Sequence, residues 1–238
     1  MVNAKTLVIV PTYNEAANII DVIQRLKLAT SDVDILIIDD NSPDGTGVLA
    51  DSLADNRTHI LHRPTKSGLG PAYLAGFSWG YKEGYDFFVE MDADGSHQPE
   101  ELSRLLAVAP DHDLVLGTRW MPGGLVLNWP ISRRLISRFG TKYGALALGL
   151  SLRDLTSGYR LLSRQLIEDI FAAQITTIGY GFQIEIVRVA SNNSREITEV
   201  PITFIERVAG SSKMSRKIVI EAWRKTTLWG IQRMVNRR

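Results

Sequence analysis

Apolar residues fall in short runs along the first half of the chain, and longer stretches with helical spacing separate them. Thr6–Thr12 is a continuous apolar run, which suits a strand buried on both faces. Glu15–Leu28 then places Ile19, Val22, Ile23 and Leu26 at helical spacing. Val33–Asp40 predicts a second strand ending in two carboxylates, and Ser42-Pro43-Asp44-Gly45 a turn or helix start. A helix to about Asp55 and a short strand near Thr58–Leu61 follow. Next come a Gly-rich loop at Lys66–Gly70, a helix to about Glu83 and the strand Phe87–Met91. Pro99–Val108 predicts another helix and Leu114–Gly117 another strand. Strands alternating with helices imply an α/β fold with a mostly parallel sheet covered on both faces. Ligands of such sheets bind beyond the carboxyl ends of the strands. Tyr13-Asn14-Glu15, Asp39-Asp40 and Asp92-Ala93-Asp94 all fall there.

The second half is less regular. Ile131–Leu150 predicts a helix that mixes basic and apolar residues, Tyr180–Ser191 a helix, Glu196–Ile205 a strand and Lys217–Val235 a terminal helix. No repeat or low-complexity linker divides the 238 residues. The expected organisation is a catalytic domain over 1–206, with a basic lid and helix over 207–238.

Composition narrows the chemistry. The chain has no Cys, which excludes disulfides, a thiol nucleophile and Cys-ligated zinc. No stretch reaches the roughly 18 apolar residues of a membrane span, and the N-terminus lacks a signal-peptide layout. The expected location is therefore cytoplasmic, with peripheral membrane contact open. The formal charge of +1 conceals an asymmetry. Arg207–Arg238 holds nine basic residues and one acidic, a charge of +8, and residues 1–206 carry −7. A near-neutral total does not suggest a nucleic-acid binder.

Asp92 and Asp94 flank Ala93 just after an apolar strand. An isolated Asp-x-Asp is commonly a solvated turn. Its place at a strand end, with Asp40 on another, favours a hard divalent cation and a phosphate. Gly95 and Ser103 do not fit an EF-hand. Asp39 and Asp40 are successive strand residues, so only one of them faces a ligand. The loop Gly68-Leu69-Gly70-Pro71-Ala72-Tyr73 lacks the third Gly of a dinucleotide fingerprint and the Lys-Ser/Thr of a P-loop. His59 and His62 point to opposite faces of a strand, so they form no zinc pair; His97 adjoins the acidic turn and fits either a support behind its ligands or, as is commoner, a surface position.

The segments VPTYNE (Val10–Glu15), IIDDNSPDGT (Ile37–Thr46), KSGLGPAY (Lys66–Tyr73), MDADGSHQPE (Met91–Glu100), GTRW (Gly117–Trp120), DLTSGYR (Asp154–Arg160) and EVPITFIERVAGSSK (Glu199–Lys213) occur in order. Together they resemble the polyprenol-phosphate (dolichol-phosphate) mannose synthases, inverting nucleotide-sugar glycosyltransferases of family two. The resemblance implies a Rossmann-like nucleotide-diphospho-sugar transferase fold of the GT-A type. It implies transfer of mannose from GDP-mannose to a polyprenyl phosphate with inversion, releasing GDP. Matching positions place the donor nucleotide against Pro11, Tyr13, Glu15, Ile38 and Asp40. Asp92, Ala93 and Asp94 would hold the diphosphate and a Mg²⁺ or Mn²⁺ ion, with Asp92 and Asp94 as metal ligands. Arg119, Arg207 and Lys213 match phosphate positions and join Asp94 as the expected catalytic set. Arg133 and Ser137 match positions at the acceptor phosphate. Two departures stand out: Ser96 replaces a metal-ligating Gln of some relatives, and Trp120 stands where Tyr is frequent.

The chemistry of these residues agrees with the resemblance. A phosphate monoester is largely dianionic at neutral pH, so the acceptor needs no general base. Catalysis then consists of bringing two anions together and stabilising a charged leaving group. Gly210-Ser211-Ser212, between Arg207 and Lys213, suits either a lid or a flexible tail. Trp129, Ile131, Leu135, Ile136 and Phe139 lie among Arg133, Arg134, Arg138 and Lys142. They fit a membrane surface and, equally, a helix with a solvated basic face. The terminal helix permits membrane contact or docking of a membrane-embedded partner protein. Two other functions remain open at this level: transfer of glucose or another sugar to the same lipid, and a non-catalytic nucleotide-sugar-binding module that recruits partners to membranes.

Overall fold

A computed structural model of the chain describes residues 4–236, apart from 178 and 207–215. Strand β1 (Thr6–Thr12) is the centre from which the sheet grows. Its side chains alternate: Leu7 and Ile9 join the core on one face, Val8 and Val10 the core on the other. Helix α1 (Ile19–Ala29) buries Ile19, Val22, Ile23 and Leu26, the four positions its spacing predicts. Strand β2 (Val33–Asp39) pairs parallel to β1, and β3 (Thr58–His62) parallel to β2 after the short helix α2 (Thr46–Ser52). Helix α3 (Leu69–Lys82) crosses the sheet closely because it carries glycine where it meets the strands. A Cβ on Gly80 would stand 2.6 Å from Leu7 Cδ2 and 2.8 Å from Phe88 Cε1.

Strand β4 (Phe87–Glu90) lies on the other side of β1, again parallel. A 3₁₀ turn (Pro99–Glu101) and the short helix α4 (Leu102–Leu106) replace the single helix expected over 99–108. Strand β5 (Leu114–Thr118) follows. Two strands were not anticipated from the pattern. They are β6 (Leu125–Leu127) and β7 (Arg160–Ser163), with helix α5 (Ile131–Leu148) between them. Helices α6 (Arg164–Ala173) and α7 (Tyr180–Asn192) come next.

The strand expected over 196–205 divides in two. Residues of β8 (Ile197–Pro201) pair with β5, and those of β9 (Thr203–Ile205) pair with β6 in a separate two-stranded sheet. Ile202 sits at the crossing, fully buried, with its N–H on Thr118 O at 3.1 Å. Pro201 has no N–H, which β8 tolerates as the edge strand of the main sheet. Helix α8 (Arg216–Asn236) packs on α5 and α7.

The seven-stranded sheet has the order β3-β2-β1-β4-β7-β5-β8. All neighbours are parallel except β7, which runs antiparallel to both β4 and β5. The carboxyl ends of β1, β2, β4 and β5 share one edge with the loop entering β7. Every acidic motif of the sequence is on that edge.

Candidate active site

The first wall of the site is built from the ends of β1 and β2. Asn14 takes φ 57°, a left-handed conformation that Asn tolerates. Its N–H donates to Ser42 Oγ at 3.1 Å, and the Glu15 N–H donates to Thr46 Oγ1 at 2.9 Å. Asp39 and Asp40 separate as their alternation predicts. Asp39 accepts from Thr12 Oγ1, the Ser42 N–H and Ser42 Oγ, and holds the two loops together. Asp40 accepts instead from Arg63 Nη1 at 2.8 Å. Burial pushes the Asp40 carboxyl above its ordinary range, with the Arg63 charge opposing that shift. Lys66, from the Gly-rich loop, lies 3.9 Å over the Tyr13 ring. The result is an aromatic face beside a carboxylate paired with Arg63. Ile38 is fully buried among core side chains, so it can offer a ligand only its backbone.

The second wall is the turn after β4. Ser96 N–H closes it on Asp94 Oδ1 at 3.0 Å. His97 is the one residue whose place differs clearly from expectation. It is 1% exposed, not on the surface. Its Nδ1 accepts the Asp92 N–H at 3.1 Å, its ring stacks on Tyr159 at 5.0 Å, and its edge meets Phe204 at 5.7 Å. Burial lowers its pKa to about 4, so at neutral pH the ring is uncharged with its proton on Nε2. His97 thus fixes the backbone of the acidic turn from beneath.

The third wall comes from β5 and the loop before β7. Arg119 is 7% exposed and Asp154 fully buried. Asp154 Oδ2 accepts Arg119 Nε at 2.7 Å, and Oδ1 accepts Nη2 at 2.8 Å, a two-pronged fork. The Arg119 guanidinium lies 5.3 to 5.6 Å from the rings of Trp129, Phe204 and Trp120. Arg133, at the start of α5, stands 4.1 Å over Trp129 and is ion-paired with Glu206. One indole therefore carries both arginines, and Phe204 connects that cluster to His97 and the acidic turn.

Asp154 and Arg160 belong to the DLTSGYR segment, but their tasks were not legible in it. Arg160 is completely buried beside Glu90, its register partner across β4 and β7. It donates to the carbonyls of Leu155, Ser157 and Gln183 at 2.6 to 2.7 Å, clamping the loop that presents Asp154. Burial raises Glu90 to about 7 and lowers Arg160 to about 10. The signal available in sequence was the coexistence of Asp154 and Arg119 in separate motifs.

Residues 7–171 match the family model described as glycosyl transferase family 2. The chain is a family 2 glycosyltransferase. It is 49% identical to the polyprenol monophosphomannose synthase of Mycolicibacterium smegmatis, over 98% of this chain and 89% of that protein. It is also 49% identical to the undecaprenyl-phosphate mannosyltransferase of Micrococcus luteus, over 95% and 94%. The resemblance to the polyprenol-phosphate mannose synthases thus holds over nearly the whole glycosyltransferase. Its fold is of the GT-A type. A crystal structure of glucosyl-3-phosphoglycerate synthase from Mycobacterium tuberculosis superposes with a TM-score of 0.68 at 18% identity, over 97% of this chain and 80% of that one. That structure contains Mn²⁺ and uridine diphosphate.

The structure of the glycosyltransferase brings Pro11, Tyr13, Glu15 and Asp40 to one end of the site and Asp92, Ala93 and Asp94 to its middle. Arg119 and Arg133 stand at the other end. Ser137 is half-buried on α5, one helical turn after Arg133. Arg207 and Lys213 lie outside the described residues. No group of three or more His, Asp or Glu side chains among the described residues makes a closed metal site. Two carboxylates alone suit Mg²⁺ or Mn²⁺ only if a substrate phosphate completes the coordination. The hydroxyl of Ser96, buried without a hydrogen-bond partner, is a further hard oxygen beside Asp94.

Proposed function

We propose that this glycosyltransferase moves mannose from GDP-mannose to a polyprenyl phosphate with inversion at the anomeric carbon, giving polyprenyl-phosphate mannose and GDP. The observation that carries this reading is the pair of arginines on Trp129, linked through Phe204 and His97 to the Asp92-Ala93-Asp94 turn. A transfer between two phosphate-bearing substrates needs cations for both, next to the carboxylates that hold the donor's metal. Tyr13 provides a stacking face for the base and Asp40 an acceptor for its N–H groups. Asp92 and Asp94 would hold Mg²⁺ or Mn²⁺, which would supply positive charge for the diphosphate leaving group. Arg119, its plane fixed by Asp154, donates to a donor phosphate, and Arg207 and Lys213 add charge there.

Arg133 and Ser137 receive the acceptor phosphate. Glu206 now occupies the Arg133 guanidinium, so the incoming phosphate displaces a carboxylate and takes over its charge-assisted bonds. The dianion attacks directly, and no side chain has to remove a proton. The lipid arrives along α5, where Ile131, Leu135, Ile136 and Phe139 are each more than 60% exposed. Trp223 of α8 stacks beside them on Tyr143, and no helix among the described residues is long and apolar enough to cross a membrane. Peripheral contact at the cytoplasmic membrane face accounts for this stripe, with a membrane-embedded protein partner as the other occupant. Residues 1–206 form the catalytic unit and 207–238 its basic lid and helix.

The test is incubation with labelled GDP-mannose, Mg²⁺ or Mn²⁺ and a polyprenyl phosphate, followed by organic extraction. Label in the organic phase is expected, and the anomeric coupling of the product reports inversion. An Asp94→Ala variant should stay folded and extract none. Label carried only from UDP-glucose would replace mannose by glucose in this reading; no transfer from any nucleotide sugar would overturn it.

A further inference from the structure

Away from the strand ends, α5, α7 and α8 enclose a cavity of about 230 Å³. Its polar lining is Arg188, Ser191 and Asn192 of α7 with Gln232 and Arg233 of α8, and Trp229 forms an apolar wall. None of these residues belongs to the candidate active site. Every polar side chain in the lining donates hydrogen bonds, two are permanently cationic, and no carboxylate lines the space. Among the described residues, the acid paired with either arginine is Glu185, whose Oε1 is 4.0 Å from Arg188 Nη2, too long for a strong bond. Arg188 lies 4.9 Å over the Trp229 ring, and its Nε is buried without a hydrogen-bond partner. Arg233 reaches over Gly149, where a Cβ would stand 1.8 Å from the guanidinium carbon. That glycine lets the second guanidinium lie against the end of α5.

We propose that this cavity binds an esterified phosphate. Two guanidiniums with amide and hydroxyl donors match the oxygens of a phosphate in number and charge. The volume is several times the roughly 30 Å³ share of one water, more than a bare phosphate fills. Trp229 and the two leucines of the lining offer the remainder an apolar wall for the ester's carbon chain. The phosphate has two possible sources, a soluble ester or a lipid headgroup. Leu228, Ile231, Met234 and Val235 of α8 are exposed beside Arg233, so the mouth lies next to apolar surface. In membrane proteins, basic pockets between transmembrane helices recognise headgroups through the same chemistry.

Calorimetric titration of the full chain with glycerol 3-phosphate and with inorganic phosphate tests the soluble source. Co-sedimentation with phosphatidylcholine vesicles, pure or mixed with equal parts phosphatidylglycerol, tests the lipid source. Saturable binding to the ester, or to the mixed vesicles alone, is expected. Arg233→Gln should weaken it roughly tenfold or more, as loss of one charge-assisted bond does. Asn192→Asp, which adds an anion to the lining, should weaken it at least as much and covers the case in which Arg233→Gln fails to fold. Arg224→Gln removes the same charge from an exposed position on α8 and should leave binding within about twofold. Absence of saturable binding to either probe overturns the proposal. So does an Arg224→Gln effect equal to that of Arg233→Gln, since the attraction would then be diffuse.

Discussion

Asp154→Ala is the sharpest test of how the site is held. Asp154 is fully buried and accepts the Arg119 backbone N–H at 3.2 Å, Nε at 2.7 Å and Nη2 at 2.8 Å. Removing the carboxylate leaves a guanidinium, 7% exposed, without its counter-ion. Breaking a buried pair in this way costs about 3–5 kcal/mol. Three rings within 5.6 Å of the Arg119 Cζ soften the loss, so the lower end, about 3 kcal/mol, is expected. For a chain of this size that lowers Tm by roughly 6–12 °C. Urea unfolding of Asp154→Ala, Arg119→Leu and the Asp154→Ala/Arg119→Leu double variant measures it. The double variant removes both charges and should be more stable than Asp154→Ala. A cost below about 1 kcal/mol for Asp154→Ala, or strict additivity in the double variant, would refute the argument that the pair is a coupled buried unit.

The other expectations are more local. Gly80→Ala drives a methyl into Leu7 and Phe88 and should cost about 1–3 kcal/mol, whereas Gly140→Ala, with nothing within 4 Å, should gain roughly 0.5–1 kcal/mol from helix propensity; equal melting shifts would contradict the close packing of α3. Folded His97 titrates near 4, below its ordinary 6.5, so between these values the unfolded chain binds more protons and stability falls as pH drops through the window. Unfolding in the presence of a chelator should show that slope reduced in His97→Gln, and an unchanged slope would count against a buried neutral imidazole. Arg207→Ala and Lys213→Ala should lower turnover far more than melting temperature; a variant that unfolds would give those residues a structural role instead.

Those contrasts also mark what the sequence made legible. The alternating strands and helices of the first half are readable because each strand is a run of apolar residues and each helix face repeats. The carboxylates at the ends of β1, β2 and β4 follow from that order alone. Strand β7 was hidden for a physical reason. It has four residues and opens with Arg160, and a charged residue reads as surface unless its three carbonyl acceptors are known. Two of those acceptors, on Leu155 and Ser157, are close in sequence, but nothing in side-chain pattern reports a backbone carbonyl's direction. His97 was placed outside for a similar reason, since its cover, Tyr159 and Phe204, comes from residues 62 and 107 positions later. The partnership of Arg119 with Asp154 spans 35 positions and requires the antiparallel strand to exist first. The division at Ile202 is a tertiary choice between two sheets, which the side-chain pattern of residues 196–205 does not report.

The reversed strand also has a bearing on assembly. When the chain has been synthesised as far as Thr118, five of the seven strands of the main sheet exist, yet β5 has no neighbour to pair with. β4 presents an open edge until residue 163 emerges, and β8 then closes the far side by pairing with β5. Strands β3, β2, β1 and β4 can form as a local parallel unit, but the sheet becomes continuous only when β7 slides between β4 and β5. That event also delivers Asp154 to Arg119. Completion of the sheet and completion of the active site are therefore the same step, and a chain cut short before β7 would carry Arg119 and the carboxylates without the strand that joins β4 to β5 and holds them in place.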